Sequence, residues 1–311
     1  MSKKVIDFVE GERIKANLLL TSFVKGTTNS GAPYLTLTVQ DNTKAVDGKM
    51  WDVKPEIEKQ LEVGKVFEFE FEVIKYRNSL QLKIIKVFPV VQSEINKEDF
   101  IFHSPIAKED LVNQVQTAIN RIDNENIAKI VVAVMNQYRD RFYEYPAASK
   151  IHHSFMSGLA THVCGMLKIA NAVADTYPCV NRDYLTAGVI LHDVGKIEEL
   201  SSPVVTEYTK EGKLIGHISI INGRLYEIAR DLKLEDSEEF LVLRHMVLSH
   251  HGQLEYGSPV RPMILEAELL YLIDNIDARV NTIEKALDQV EAGEFTPKLF
   301  ALDNRSFYKH E

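Results

Sequence analysis

Seven residues able to ligate a metal ion are spread over the C-terminal two-thirds of the chain: His162, His192, Asp193, His217, His250, His251 and Asp274. Their spacings are too wide for one local motif, so a fold must gather them. Imidazole and carboxylate are the donors of Mn, Fe, Zn or Co sites, and no thiolate belongs to the set. The adjacent pair His192-Asp193 follows the apolar run Ala187-Gly188-Val189-Ile190-Leu191. A buried aspartate there needs a metal or a cation. Adjacent ligands on one turn can face two ions together, and a carboxylate can bridge them where a neutral imidazole cannot.

Helical spacing says which of these residues point inward. His162 shares a face with Leu159, Val163, Met166 and Ala170, so its ring turns into a core. Cys164 lies two positions on, about 200° around that helix, and should not join the same site. Asp274 sits among Leu269, Leu270, Ile273 and Ile276, with Asp277 three residues on and competing for the same face. His217 lies in a segment bounded by Gly212, Gly216 and Gly223, which by itself reads as a loop. Gly252 ends the helix that carries the His250-His251 doublet. His245 falls five residues before His250 and is poorly phased. His103, His152 and His153 have no specific reading beyond substrate contact, and His310 is terminal. Lys196 is either a helix-end lysine bound to carbonyls or an ammonium set to offset charge on a phosphate.

An HD doublet after a lone upstream histidine, closed by a distant aspartate, resembles the HD superfamily of metal-dependent phosphohydrolases. The resemblance rests on S-G-L-A-T-H ending at His162, L-H-D-V-G-K over 191–196, S-H-H-G over 249–252 and I-D-N-I-D-A over 273–278. It implies that Asp193 touches both metals. It also implies that Asp274 is the terminal ligand, with Asp277 the fallback, and that His217, His250 and His251 mark the extended version with a second ion. In the H-D-x-G-K pattern Lys196 would act at the scissile phosphate.

Composition sets outer bounds. The chain has 311 residues, enough for two domains, with 45% hydrophobic and 26% charged residues as in an ordinary globular protein. Met1-Ser2-Lys3-Lys4-Val5-Ile6-Asp7 meets an acidic residue before any apolar run, unlike a signal peptide. No run of about 18 apolar residues could span a membrane. Cys164 and Cys179 form no CxxC pair, so a disulfide framework is not expected. These features lead to the expectation of a cytoplasmic protein with no membrane partner. Net charge is −9, which argues against a broad nucleic-acid-coating surface. Residues 1–92 carry 14 Lys and Arg against 12 Asp and Glu, a balance of +2, which leaves −11 for the rest.

Residues 12 to about 90 read as strands. Ile14–Val24 is followed by the turn-forming run Lys25–Gly31, then by a strand over Tyr34, Leu35, Leu37 and Val39 that ends at Asp41-Asn42. Ala45–Trp51 is a third strand, and Pro55–Leu61 a short helix closed by Gly64. Phe67, Phe69, Phe71 and Val73 alternate with Glu68, Glu70 and Glu72, the period of a half-buried strand. A turn at Arg77-Asn78 leads to the return strand at Leu80, Leu82 and Ile84. Five strands with a helix between the third and fourth are the order of an OB-fold, which this segment resembles. Beyond Pro89 the pattern becomes helical. Ser104-Pro105 reads as a helix start with Glu109 and Asp110 in its first turns, and breaks follow at Pro146, Pro178, Pro203 and Gly212. The expected architecture is multidomain: an N-terminal all-β OB-fold barrel over 1–92, then an all-α HD-domain helical bundle over 93–311.

The barrel segment offers aromatics with cations nearby: Phe23 with Lys25, Tyr34, Trp51 with Lys49, and Tyr76 with Arg77. Stacking on rings within a basic groove is how OB-folds hold single strands, at about 1–3 kcal/mol per base. An OB-fold joined to an HD domain resembles the YhaM family of 3′-to-5′ exoribonucleases. That resemblance implies hydrolysis of single-stranded RNA, with DNA as a further substrate, to 5′-mononucleotides. Two divalent ions would activate a bridging hydroxide, manganese being the usual ion and Fe, Co or Zn also compatible. Two other classes stay open. One is a nucleotide or cyclic-dinucleotide phosphohydrolase with a regulatory OB domain. The other is a replication-associated DNA-binding protein, for which complete metal ligation would be unneeded. A homo-oligomer is compatible with all three.

Overall fold

The computed structural model describes residues 3–28, 30–76, 79–148 and 155–311. Arg77, Asn78, His152 and His153 lie outside them. Two compact units divide the chain, Met1–His103 and Ser104–Glu311. The first runs past residue 92 because its last residues are tied to the barrel. Asn42 N donates to the Asp99 carbonyl at 3.0 Å, and Gln40 Nε2 donates to the Phe100 carbonyl at 2.9 Å.

Five strands, β1 (Arg13–Thr27), β2 (Pro33–Gln40), β3 (Ala45–Trp51), β4 (Val66–Tyr76) and β5 (Ser79–Pro89), close into a barrel of order β1-β2-β3-β5-β4. Helix α1 (Pro55–Gln60) lies between β3 and β4 in sequence. This is the OB-fold arrangement, and closure leaves no free sheet edge. The alternation in β4 explains its orientation. Phe67, Phe69, Phe71 and Val73 fill the interior with Leu18, Leu20, Leu35, Leu37 and Val39. Glu68 and Glu72 face outward onto Lys15 at 2.7 Å and Lys83 at 3.5 Å, and Glu70 onto Arg13. The barrel closes by parallel pairing of β3 and β5, where Gly48 stands opposite Leu82. A Cβ at Gly48 would lie 2.8 Å from Ile84 Cδ1 and 3.1 Å from the Leu82 carbonyl, so this approach needs glycine. One boundary differs from the sequence reading. Lys25 and Gly26 are not yet in the turn, because β1 continues to Thr27 and pairs Lys25 with Leu35.

The second unit consists of α2 (Lys108–Ile119), α3 (Glu125–Phe142), α4 (Gly158–Thr176), α5 (Arg182–Leu191), α6 (Lys196–Glu199), α7 (Lys210–Ile215), α8 (His217–Leu232), α9 (Glu238–Ser249) and α10 (Leu265–Leu287). Asn124, Asn181 and Ser237 cap α3, α5 and α9 by accepting backbone N–H bonds from the first turn. Helices α4 and α5 pack on each other and both on α10, around a core that includes Leu159, Val163, Val189, Ile190, Leu270 and Ile273.

Ser104-Pro105 does not start α2. The Ser104 hydroxyl instead accepts from Ile106 N at 3.0 Å, a local turn that delays the helix to Lys108. Gly212 does not break a helix either. It lies inside α7, where the backbone of Glu199 comes too close for any Cβ. After α10 the chain forms a small antiparallel pairing, Phe295 with Tyr308 and Leu299 with Arg305, which the helical pattern does not foretell. Among the described residues no helix is long and apolar enough to cross a membrane.

Candidate metal centre

Three helices, α4, α8 and α10, and the turns that end α5 and α9 bring the seven expected ligands together. His162 sits in the second turn of α4 and is fully buried, on the face its apolar neighbours predict. His192 caps α5 and Asp193 follows it, both buried. His217 is the first residue of α8 rather than a loop residue, with Gly216 before it at φ +77°. His250 caps α9, His251 follows, and Gly252 at φ +75° turns the chain away. Asp274 lies on α10.

The ring nitrogens show a common orientation. Each Nδ1 bonds an oxygen: His162 to Asp277 Oδ2 at 2.7 Å, His192 to the Val189 carbonyl at 2.9 Å, and His217 to Glu199 Oε1 at 3.2 Å. His250 bonds the Val247 carbonyl at 2.7 Å and His251 the Tyr256 carbonyl at 2.7 Å. A neutral imidazole that donates from Nδ1 presents a lone pair on Nε2, the form a metal requires. The Nε2 atoms of His192, His217 and His250, and Oδ1 of Asp193, are buried without a hydrogen-bond partner. Several orphaned acceptors in one place are costly unless something else binds them.

Asp193 stands between two groups of histidines. Its Oδ2 lies 3.3 Å from His192 Nε2 and 3.9 Å from His162 Nε2. Its Oδ1 lies 3.4 Å from His217 Nε2 and 3.7 Å from His250 Nε2. Ligands bonded to one ion at about 2.1 Å stand roughly 3–3.5 Å apart, so these separations suit shared ions. The donors form two groups, His162-His192-Asp193 and His217-His250-His251, with atoms in each within 4.8 Å of one another. Asp274 Oδ1 approaches the inward nitrogen of His162 at 3.2 Å, whereas Asp277 holds the outward one. The two aspartates thus occupy different places.

Charge is balanced within the centre. Lys196 Nζ donates to Asp193 Oδ2 at 2.5 Å. Burial disfavours both charges, yet Lys196 together with His192 and His217 holds Asp193 well below the carboxylate range, and Asp193 with Asp274 and Glu199 raises Lys196. Burial would lower His162, but Asp274 and Asp277 outweigh it and lift the ring to about 9. Burial lowers His250 and His251, and neighbouring histidines lower both further.

Three supporting features escaped the sequence reading. Glu199 accepts both His217 N–H groups, backbone N at 3.1 Å and Nδ1 at 3.2 Å. Its one signal was an acidic residue between Ile197 and Leu200 in a buried run. Glu198 accepts from the Tyr138 hydroxyl and from Arg224 Nη2 at 2.9 Å, which ties α6 to α3 and α8. Gly195 lies against the His217 carbonyl so closely that a Cβ would overlap it. Two of the histidines left aside are occupied elsewhere. His245 Nε2 accepts from Met263 N at 2.9 Å, and His103 pairs with Glu98 at 2.8 Å. Cys164 faces the Leu111 carbonyl, away from the centre.

Residues 159–279 match the HD domain family model. The match spans all seven expected ligands and Lys196. An HD domain points to a metal-dependent phosphohydrolase, and the donors described above are of the kind such a domain uses.

On the barrel, Tyr34 and Trp51 are cross-strand partners with ring centroids 5.0 Å apart. Lys49 Nζ lies 5.4 Å from the first ring centre and 5.5 Å from the second. Gly26 lets the Tyr34 ring lie across β1, where any Cβ would collide with it. Trp51 is 46% exposed and Tyr76 53%. Phe23 is partly buried against the barrel core, and Lys25 pairs with Glu58 at 2.6 Å. Arg77 lies outside the described residues.

The barrel is similar to the second OB-fold domain of replication protein A from Methanococcus maripaludis, at 14% identity over 28% of this chain and 92% of that one, TM-score 0.24. PriB from Ralstonia solanacearum matches at 11% identity over 24% and 93%, TM-score 0.22. RecG bound to a three-way DNA junction matches at 12% identity over 65% and 32%, TM-score 0.24. The OB assignment rests on the strand order of this barrel and not on these likenesses.

Proposed function

We propose that this protein is a 3′-to-5′ exonuclease of single-stranded RNA, in which the helical unit hydrolyses phosphodiesters with two divalent ions and the barrel captures the strand. The observation that carries the hydrolytic reading is the set of buried Nε2 atoms converging on both oxygens of Asp193, each ring fixed from behind through Nδ1. His162, His192, Asp193 and Asp274 would hold one ion, and His217, His250, His251 and Asp193 the other. Bound divalent ions supply Lewis acidity and bring the pKa of water towards neutrality. All donors are nitrogen and oxygen, which suits manganese and also Fe, Co or Zn.

The protein's own groups supply the rest. When neutral, His162 and His217 are held by Asp277 and Glu199 in the tautomer that presents Nε2. Lys196 contributes a buried positive charge beside Asp193, where it can offset charge gathering on phosphate oxygens. The Tyr138, Glu198 and Arg224 network keeps α6, and with it Lys196, from shifting. On the barrel, Tyr34, Trp51 and Lys49 together form a stacking surface with a cation, suited to unpaired bases. Phe23, Lys25, Tyr76 and Arg77 remain the other proposed contacts.

The test incubates single-stranded RNA of about 20 nucleotides with the full chain and Mn²⁺. RNA labelled at its 3′ end should release label at once as a 5′-mononucleotide, whereas 5′-labelled RNA should shorten progressively. Internal fragments from the outset, or release from the 5′ end first, would contradict the proposed direction. The same strand as DNA measures the sugar preference.

A further inference from the structure

A cavity of about 310 Å³ opens between α2, α4 and α5, and none of the metal-type ligands lines it. It lies behind two helices that serve the centre. On α4 its wall includes Cys164, two residues and about 200° from His162. On α5 its wall includes Thr186, about 1.7 turns before His192.

The lining is basic, with Arg121, Lys168 and Arg182 and, among the described residues, no acidic one. Arg182 is already engaged, to Asp175 Oδ1 at 2.6 Å and Asn171 Oδ1 at 3.1 Å. Arg121 and Lys168 have no ion-pair or side-chain hydrogen-bond partner among the described residues. Two uncompensated cations at one concavity match a phosphomonoester, which carries about −1.5 to −2 at pH 7. The floor is inert. Burial pushes the Cys164 thiol up to about 11, so it is not a nucleophile. Binding, not chemistry, is what the cavity can do. Its volume sits at the lower end of ligand pockets, about 300–1,000 Å³, which suits a small metabolite and not a polymer.

The geometry points to a second ligand site here, for a small phosphomonoester of nucleoside monophosphate size, its phosphate between Arg121 and Lys168 and its uncharged part towards Leu167 and Thr186. A ligand so placed touches α2, α4 and α5 together, and so bears on the helices that carry His162 and lead into His192-Asp193. The site does not depend on which reaction the centre performs.

The test is calorimetric titration of the full chain, stripped of metal with chelator, using AMP, inorganic phosphate and adenosine as probes. Arg121→Ala/Lys168→Ala removes two exposed side chains and should not disturb folding, which a melting curve checks. Lys196→Ala controls for phosphate held at the His/Asp centre. The expected result is one AMP site, weakened at least about tenfold in the double variant and unchanged in Lys196→Ala, with phosphate weaker and adenosine weakest. No saturable AMP binding up to about 1 mM would overturn the proposal. So would AMP binding lost in Lys196→Ala and intact in the double variant. Phosphate binding as tightly as AMP would overturn the nucleotide-sized ligand.

Discussion

Glu199→Ala tests how the two histidine groups are held apart. Glu199 Oε1 accepts from both His217 N at 3.1 Å and His217 Nδ1 at 3.2 Å, so one atom fixes the start of α8 and the tautomer of its first ring. Without it, Nδ1 and Nε2 compete for the proton and the ring can turn from the position that sets Nε2 3.4 Å from Asp193 Oδ1. Losing a partner of this kind costs about 10–100-fold in metal affinity, or ~1.4–2.7 kcal/mol. Asp277→Ala should do the same to the other group, because Asp277 holds His162 Nδ1 at 2.7 Å. Co²⁺ titration of chelator-stripped protein, followed by visible absorption and calorimetry, resolves the two binding events. Each variant is expected to weaken a different ion by about 10–100-fold and leave the other within about threefold. Glu199→Gln keeps an acceptor oxygen and should recover part of the loss. If both alanine variants weaken the same ion, or neither weakens any, the division into two groups around Asp193 is wrong.

Four further outcomes follow from named interactions. The His162 proton must leave before Nε2 can bind a metal, so affinity at that group should rise about tenfold per pH unit up to about pH 9 and then level off. The same raised pKa adds stability to the metal-free protein that is full below about 6.5 and lost as pH climbs through 9, which melting curves across that window measure. Lys196→Ala should lower turnover of a phosphodiester by about 10²–10³-fold while metal content stays at the wild-type level, and an equal fall in both would make Lys196 a structural residue only. Trp51→Ala removes half of the Tyr34–Trp51 pair and should weaken binding of single-stranded RNA by about 1–3 kcal/mol, with hydrolysis of a dinucleotide unchanged.

What could be read from the sequence, and what could not, divides along the range of the interactions. The strand at Phe67–Val73 is legible because alternation reports a surface with one face buried, and neighbouring pairings then fix the barrel. His162, His192, Asp193 and Asp274 are legible because each carries its own helical context. Glu199 is not, since its role exists only once α6 and α8 meet. Asp274 and Asp277 are three residues apart on one helix face, and only the position of the His162 ring between them separates the inward carboxylate from the outward one. Gly212 misleads for a similar reason: it reads as a breaker, yet serves as the place where the Glu199 backbone crosses α7. Ser104 misleads because its hydroxyl accepts from Ile106 N in a local turn that ends before α2 begins. Lys25 looks like a free cation beside an aromatic until the fold brings Glu58 to it.

In the proposed function, Asp193 is the shared carboxylate of a metal-dependent phosphodiesterase centre. Asp193→Asn keeps the shape of the side chain and removes its charge, so metal content and hydrolysis of an activated phosphodiester can be measured on the same folded sample. Wild-type protein stripped by chelator should be inactive, regain activity with Mn²⁺ and hold two ions per chain, whereas Asp193→Asn should hold fewer and stay inactive at saturating Mn²⁺. Near wild-type turnover in Asp193→Asn, or undiminished hydrolysis by wild-type protein after the chelator has removed its metal, would contradict it.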